Sequence, residues 1–294
     1  MKSPVRSLAL LLAISLCSAP VTLHALTESE AKAGRDLVMR CANSIIGIEM
    51  VVTVKMTMGD RALPPRENKI DVNGTVLNAA GLTVTSLTAI DPRMQFEAMR
   101  GTMGPAGARM EISETDFKEV KLRLTDGTEI PARVVLKDGD LDLAFIAPEL
   151  EAGAAKHEFS PVKLSDASEG TLLSTYFTVA RASKALQRVP VVVPTLIIGT
   201  VEKPRRVFLV TAQQLGCPVF DLNGRILGLN LHHLSSGRSS GIVVLPAADV
   251  DEIAQQAAVE AAKPPPPKPK PEPVSPPPEK KVDAGPPVES APKK

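Results

Sequence analysis

The amino-acid sequence predicts an all-β protein with about a dozen strands in two sets. Short runs of β-branched residues recur from Ile45 onward, and Asn-Gly, Asp-Gly and Ala-Gly pairs, which favour turns, separate them. The runs follow one another at hairpin spacing. That spacing is typical of antiparallel barrels and sandwiches, whereas parallel sheets alternate strands with helices.

The first residues have the pattern of a secretory signal. Lys2 and Arg6 precede an apolar run, Leu8–Leu16, and Ala25 ends a plausible cleavage site. We therefore assign residues 1–25 to a signal peptide and expect a periplasmic or extracellular protein. An uncleaved membrane anchor is the alternative, although the run is short for a membrane span and no later segment is apolar for long enough.

Helices are predicted at both ends of the strand region. Thr27 and Glu30 form a capping box that opens a helix within residues 26–43. Asp249 is the expected N-cap of an Ala- and Gln-rich helix that runs to Lys263. Thirteen prolines follow, so residues 263–294 are expected to form a disordered tail that acts as a tether, a spacer or a ligand for a proline-recognising partner.

The clearest strands are distributed over both sets. A Met-rich stretch, Arg93 to Ser113, lies between the predicted strands Gly81–Ile90 and Glu119–Leu124. We interpret it as a long loop whose Met side chains either fill gaps over the strands or contact a partner. The predicted strands are Ile45–Met58, Gly81–Ile90, Glu119–Leu124, Ala132–Leu136, Leu143–Ile146, Leu172–Val179, Val189–Gly199, Val207–Thr211, Arg225–Leu231 and Gly241–Leu245.

Charge and composition exclude some functions. The chain carries +1, of which residues 1–25 hold +2 and residues 263–294 hold +3, so the body between them carries −4. An acidic body without a basic stripe is not a nucleic-acid surface. Aromatic residues make up only 3%, with no Trp, so platforms for stacking sugars or bases are scarce.

Two cysteines remain after the signal, Cys41 and Cys217. In an oxidising compartment they could form a disulfide, and the alternative is two unpaired thiols. No metal-binding or cofactor-binding pattern stands out. His232 and His233 are adjacent, so on a strand they point to opposite faces and make a poor metal pair.

Three segments, in order, resemble the trypsin-like (chymotrypsin-fold) serine proteases, most closely the bacterial HtrA/Deg branch. They are a Gly-rich hairpin at 74–90, the Asp-Gly-x4-Ala-x-Val-Val-x2-Asp-x3-Asp-Leu-Ala segment at 126–144, and Gly-Cys-Pro-Val followed by Asn-Gly and Gly-Leu-Asn within 213–230. The resemblance implies two six-stranded antiparallel β-barrels, at residues 44–150 and 151–262, the second with the closing helix. A proline-rich tail stands where relatives usually carry a PDZ domain.

Carried over position by position, the resemblance implies a degenerate catalytic triad. Thr88 stands at the imidazole position, Asp142 at the carboxylate position and Leu215 at the nucleophile position. The turn that supplies the oxyanion hole is altered as well, and reads Gln213, Gly216 and Cys217 at its key positions. Since serine proteolysis needs a hydroxyl, a base and oxyanion donors, we expect no catalytic residues here.

Three functions follow as hypotheses. The first is an exported pseudoprotease that binds a peptide or protein in the cell envelope. The second is an active endopeptidase with a rearranged site, in which Cys217 acts with His232 or His233. The third is a structural envelope component. The oligomeric state stays open.

The alignment also makes a geometric prediction. If it is right, Thr88 and Asp142 lie in contact, with the carboxylate held by backbone N–H groups and by the Thr88 hydroxyl, because a buried carboxylate needs such partners.

Overall fold

The structure is a computed structural model that describes residues 26–99, 109–149, 157–235 and 238–265. The predicted signal peptide and almost all of the predicted tail lie outside these ranges. None of the helices in the described residues is long and apolar enough to cross a membrane. The account below concerns the described residues up to Lys263, which belong to one unit.

The chain enters the fold through helix α1, Glu28–Cys41. Its capping box forms as the sequence indicates, because the Thr27 hydroxyl accepts from the Glu30 N–H at 3.2 Å and the Glu30 carboxylate accepts from the Thr27 N–H at 2.8 Å. The helix packs on the second barrel. A Cβ on Gly34 would stand 3.1 Å from the Phe177 ring, so a small residue allows this close approach.

The first barrel is closed by six antiparallel strands. Around the barrel the order is β1-β3-β4-β7-β6-β5, and β5 pairs back onto β1. A short β2 extends the hairpin that follows β1. The strands are β1 (Ile45–Met58), β2 (Arg61–Ala62), β3 (Arg66–Val76), β4 (Thr83–Ser86), β5 (Met110–Arg123), β6 (Glu129–Asp138) and β7 (Leu143–Pro148).

Strand β1 shows how the sequence builds this barrel. Ile48, Met50, Val52 and Val54 are buried, and the residues between them are partly exposed. This period of two places one face of the strand inside the barrel and the other toward solvent. The alternating apolar residues thus supply the core of the first barrel.

Two predictions about the middle of this barrel are wrong in part. The predicted strand Gly81–Ile90 stops at Ser86, whose hydroxyl accepts from the Ala89 N–H and caps a short helix, α2, Leu87–Ile90. The predicted Met-rich loop begins as helix α3, Pro92–Met99, because proline suits the first turn of a helix and Phe96 buries against the barrel. The loop's end is also ordered, since Met110 opens β5. Residues 100–108 lie outside the described ranges.

The second barrel is closed by six antiparallel strands in the order β10-β13-β12-β11-β8-β9. The prediction of two six-stranded antiparallel barrels is therefore confirmed. The strands are β8 (Thr175–Arg181), β9 (Pro190–Val201), β10 (Val207–Val210), β11 (Pro218–Phe220), β12 (Ile226–Ser235) and β13 (Arg238–Pro246).

Helix α4, Ala247–Ala261, closes the fold. The predicted N-cap, Asp249, is wrong by three residues, because Pro246 is the N-cap and Asp249 lies in the first turn. There the Asp249 carboxylate pairs with Arg205 at 2.5 Å and complements the positive end of the helix. The last residues are held by Arg133, whose Nη2 donates to the carbonyls of Ala261 and Lys263.

The largest apolar cluster joins both barrels and both terminal helices. It includes Val84 and Phe145 from the first barrel, Phe177 and Leu229 from the second, and Leu37 from α1. Since burial of apolar area is the main source of stability, the two barrels share part of the core that stabilises each of them. This shared core positions the groups described next.

Candidate functional site

Asp142 lies where the two barrels meet, directly before β7, and its side chain is fully buried. From the first barrel, the Ser86 hydroxyl donates to Oδ2 at 2.6 Å and the Thr88 N–H donates to Oδ1 at 2.6 Å. From the second barrel, the His232 N–H donates to Oδ2 at 2.7 Å. One carboxylate therefore binds both barrels through three short hydrogen bonds.

Thr88 and Asp142 are in contact, as the alignment requires, but the bonding group differs from the expected one. The Thr88 backbone N–H makes the bond, while the Thr88 hydroxyl is buried without a hydrogen-bond partner among the described residues. The hydroxyl that binds the carboxylate belongs to Ser86. The reason is that Ser86 ends a strand and Thr88 lies in the first turn of α2, so its N–H points toward the carboxylate.

The electrostatics of Asp142 are set by two opposing effects. Burial raises the pKa of the carboxyl above its ordinary value, and the hydrogen bonds from Ser86, Thr88 and His232 lower it again, with burial prevailing. Three donors around one carboxylate are enough to hold it inside the protein. This bonding accounts for the buried position of the carboxyl group.

The turn at the nucleophile position is anchored to both barrels. The Gly216 N–H donates to the Asn230 carbonyl at 2.8 Å, and the Gly216 carbonyl accepts from the Thr75 hydroxyl at 2.8 Å. Gly216 has φ +73°, and a Cβ there would stand 2.5 Å from Thr85 Oγ1. Only glycine fits this position, since both the conformation and the space exclude a side chain.

The side chains of this turn carry no nucleophile that faces solvent. Leu215 is partly exposed and Gln213 is exposed. Cys217 is fully buried, and burial raises the pKa of its thiol to about 12. The Cys217 backbone pairs with Gln214 and Asn230. A thiol reacts through its thiolate, so this environment suppresses its reactivity.

The two cysteines do not pair with each other, since both Cys41 and Cys217 are free thiols. Of the two alternatives that the sequence left open, the structure therefore has the unpaired thiols. Cys41 is half-buried at the end of α1 and packs at the rim of the shared core. Among the described residues no group of three or more His, Cys, Asp or Glu side chains could hold a metal ion.

The adjacent histidines lie on β12 with different surroundings. The backbone N–H of His232 donates to the Asp142 carboxylate. The imidazole Nδ1 of His233 lies 2.5 Å from the Ser240 hydroxyl of β13. Neither feature joins an imidazole to the Cys217 thiol.

A cavity of about 490 Å³ opens beside Asp142 along β12. Its floor is apolar, and the turn between β6 and β7 supplies acidic residues at its rim. β11 ends opposite Leu229, so within the described residues β12 beyond Asn230 has one neighbouring strand, β13. The lining residues include Asp138, Asp140, Leu141, Leu231, His232, His233 and Leu234.

Sequence reasoning missed several residues that shape this site. Ser86, Thr75 and Asn230 hold Asp142 or the turn. Asn230 ends one of the aligned motifs, but no role was predicted for it, and Ser86 and Thr75 match no motif position. A polar residue within an apolar strand is the signal that could have found them. Thr75 and Asn230 are fully buried, and buried polar groups have partners.

No protein-family model and no curated protein sequence matches the chain. Among solved structures, the MamO protease domain from Magnetospirillum magneticum, in its apo form, is similar over 73% of this chain and 97% of that chain, with 15% identity and a TM-score of 0.44. An HtrA-type protease, AlgW, in a serine-to-alanine variant with a decapeptide, is similar over 77% of this chain and 67% of that chain, with 16% identity and a TM-score of 0.52. The likeness to AlgW and the two closed barrels show that the chain has the trypsin-like fold of HtrA-type proteases.

Proposed function

We propose that the protein is an exported, catalytically inactive member of the trypsin-like fold that binds an extended peptide or a partner protein in the cell envelope. The observation that carries this proposal is Leu215 at the nucleophile position. A leucine side chain has no atom that can attack a carbonyl, while the turn around it keeps its anchors, Thr75 and Asn230.

The proton-transfer half of the reaction is also absent from this site. Thr88 occupies the base position, and a threonine hydroxyl does not accept a proton near neutral pH. Asp142 accepts from the Ser86 hydroxyl and from the backbone N–H groups of Thr88 and His232, and none of these three donors is an imidazole. These contacts support a structural function for the one triad residue that the chain retains.

A rearranged cysteine hydrolase is the main alternative, and the surroundings of Cys217 oppose it. The thiol is fully buried, and burial raises its pKa to about 12. A nucleophilic cysteine needs a favoured thiolate and access to substrate. We therefore favour the binding function over this alternative.

Binding is supported by the strand edge beside Asp142. An extended peptide can add to an open strand edge through main-chain hydrogen bonds, and adjacent cavities then accept alternate side chains. Residues Leu231–Leu234 of β12 line the 490 Å³ cavity and pair with β13 on one side. On the other side the His232 backbone N–H is already bonded to Asp142, so a peptide would pair with β12 beyond His232. Export is supported by the signal pattern of residues 1–25.

The test is binding of an unfolded protein, reduced and carboxymethylated casein, to the purified protein, measured by fluorescence polarisation. Leu234→Asp puts a charge at the cavity, and Ile198→Asp makes the same change at an exposed position of β9. We expect Leu234→Asp to weaken binding about tenfold or more, because it buries a carboxylate against the ligand. Ile198→Asp leaves binding unchanged.

Two outcomes would count against a peptide-binding function. One is equal binding by both variants, which would place the contact elsewhere on the molecule. The other is a double failure. Casein does not bind saturably, and wild type captures no protein from envelope extract that Leu234→Asp fails to capture. That result would favour a structural component.

A further inference from the structure

A second cavity, of about 410 Å³, lies on the joint between the barrels and shares no lining residue with the cavity beside Asp142. One wall is the turn between β5 and β6. The opposite wall is the connection between β8 and β9. Its lining residues are Arg123, Leu124, Thr125, Gly127, Arg181, Lys184, Gln187, Arg188, Val189 and Pro190.

The lining of this cavity is strongly cationic. Arg123, Arg181, Lys184 and Arg188 all contribute to it, and none of the ten lining residues is acidic. Three acids outside the lining face these four cations. Glu49 Oε1 accepts from Arg123 Nε at 2.9 Å and from Arg188 Nη2 at 2.7 Å and lies 3.6 Å from Lys184 Nζ. Asp71 pairs with Arg188 at 2.7 Å, and Glu129 pairs with Arg123. The cations therefore outnumber the negative charges that face them.

Arg181 is the least compensated of these cations. Its side chain is almost fully buried, with a relative exposure of 7%, and among the described residues no carboxylate forms an ion pair with it. Its guanidinium donates instead to the carbonyls of Ala42, Ile45 and Arg188. Burial and the charge of Arg188 lower its pKa, so the charged form is disfavoured where it stands. Carbonyl dipoles solvate a buried cation but do not neutralise it.

Arg188 is placed against the cavity by specific features of the backbone. A Cβ on Gly47 would stand 2.8 Å from Arg188 Nη1, so glycine in β1 leaves the space that the guanidinium fills. Gln187 and Arg188 both have left-handed backbone conformations, with φ +57° and +52°. Arg188 Nε is buried without an acceptor among the described residues. The group of cations that lines the cavity thus includes a buried N–H donor, Arg188 Nε, without an acceptor.

We propose that this cavity is an oxyanion-binding site that takes a phosphate or carboxylate group. Guanidinium groups hold such oxygens through paired N–H donors, and three of the lining residues, Arg123, Arg181 and Arg188, carry them. The bound anion supplies the negative charge that Arg181 lacks. Because Arg123 comes from the first barrel and Arg181 and Arg188 from the second, the anion also joins the two barrels.

The test is isothermal titration calorimetry of the purified protein at constant ionic strength. One arm uses sodium phosphate and a second arm uses sodium citrate. Lys184 is the matched position for substitution, since its side chain is 65% exposed and its change leaves the core intact. Lys184→Glu places a carboxylate at the mouth of the cavity and is expected to weaken binding about tenfold or more. Lys163→Glu, at an exposed site outside the cavity, makes the same charge change and leaves binding unaffected.

Saturable binding of one anion per chain with this difference between the variants supports the site. Phosphate without citrate identifies a phosphate ligand, and citrate without phosphate a carboxylate. The proposal is overturned if neither anion binds saturably, if Lys184→Glu binds like wild type, or if Lys163→Glu weakens binding as much. Arg181→Met, where it folds, is expected to abolish the response. Since Asp142 and β12 are untouched, failure here leaves the proposed function standing.

Discussion

Asp142 is one of the residues that link the two barrels by hydrogen bonds. Its carboxylate accepts from Ser86 and Thr88 on one side and from His232 on the other. If one of these three donors is removed, the buried carboxylate lacks a hydrogen bond. If the carboxylate is replaced by an amide, the amide NH2 group faces a buried N–H donor and cannot accept from it. These contacts give the residue a role in stability.

For Asp142→Asn we expect a loss of about 3 kcal/mol in the free energy of unfolding, because the amide NH2 group meets an N–H donor. Ser86→Ala is expected to cost about 1.5 to 3 kcal/mol through the loss of one hydrogen bond to a charged group. Urea unfolding followed by far-UV circular dichroism gives both values. Stabilities within error of wild type would contradict the contacts described for Asp142.

The pH dependence of stability gives a second prediction for Asp142. Burial raises the pKa of its carboxyl above the ordinary value of 3.8, so the folded state holds the proton more tightly than the unfolded state. The contribution of this group to the free energy of unfolding therefore falls as the pH rises from about 4 through the raised pKa. Relative to wild type, Asp142→Asn should lose this downward slope. A difference of the opposite sign would show that the hydrogen bonds outweigh burial.

Cys217 should behave as an inert thiol. With a pKa of about 12, about one molecule in 10,000 carries the thiolate at pH 8, and the side chain is fully buried. We expect mass spectrometry to find Cys217 unmodified by iodoacetamide in the native protein and modified after denaturation. Rapid native labelling would reopen the rearranged cysteine site.

The turn that carries Gly216 is the element that fixes the former nucleophile position. Gly216→Ala combines a left-handed backbone with a Cβ that would stand 2.5 Å from Thr85 Oγ1 and 2.9 Å from the Asn73 carbonyl. We expect it to cost about 2 to 4 kcal/mol of stability. Gly127→Ala is the control, since Gly127 also has a positive φ but has no atom within 4 Å of its Cβ position. Its cost should be about 1 kcal/mol. Equal costs would mean that the turn is not packed as described.

Element by element, strands with a buried face were predictable and strands with polar faces were not. β1 was predicted at its observed bounds because its apolar residues alternate. β3 was missed because most of its residues are polar and its Asn73-Gly74 pair has a turn-like sequence. In the structure, Gly74 lies inside β3. Glycine is needed there because a Cβ would stand 2.4 Å from Ile48 Cδ1. This is a tertiary constraint that local sequence does not contain.

The site was predictable in its motif positions and not in its bonds. The alignment located Thr88, Asp142 and Leu215. It assigned the hydroxyl that bonds the Asp142 carboxylate to Thr88, whereas the structure has the Ser86 hydroxyl there. These residues are two positions apart, and the start of α2 between them decides which hydroxyl faces the carboxylate. The cationic cavity was not predicted at all. Arg123 and Arg181 are far apart in sequence, and only barrel closure brings them together.

At the scale of the whole molecule, the shared core predicts cooperative unfolding. Residues of both barrels and both terminal helices contact one another in one apolar cluster. We therefore expect a single transition in differential scanning calorimetry, with the calorimetric and van't Hoff enthalpies equal. Two separated transitions would show that the barrels are stabilised independently and would weaken the function given to Asp142.

The central claim is a trypsin-like fold that binds without cutting, and a proteolysis assay with fluorescein-labelled casein tests it most directly. We predict that the purified protein releases no more fluorescent peptide than a buffer control over a prolonged incubation, because Leu215 offers no nucleophile and Cys217 is buried. Cleavage by wild type that is lost in Cys217→Ala, with the fold retained, would contradict this account and assign the protein a rearranged cysteine active site.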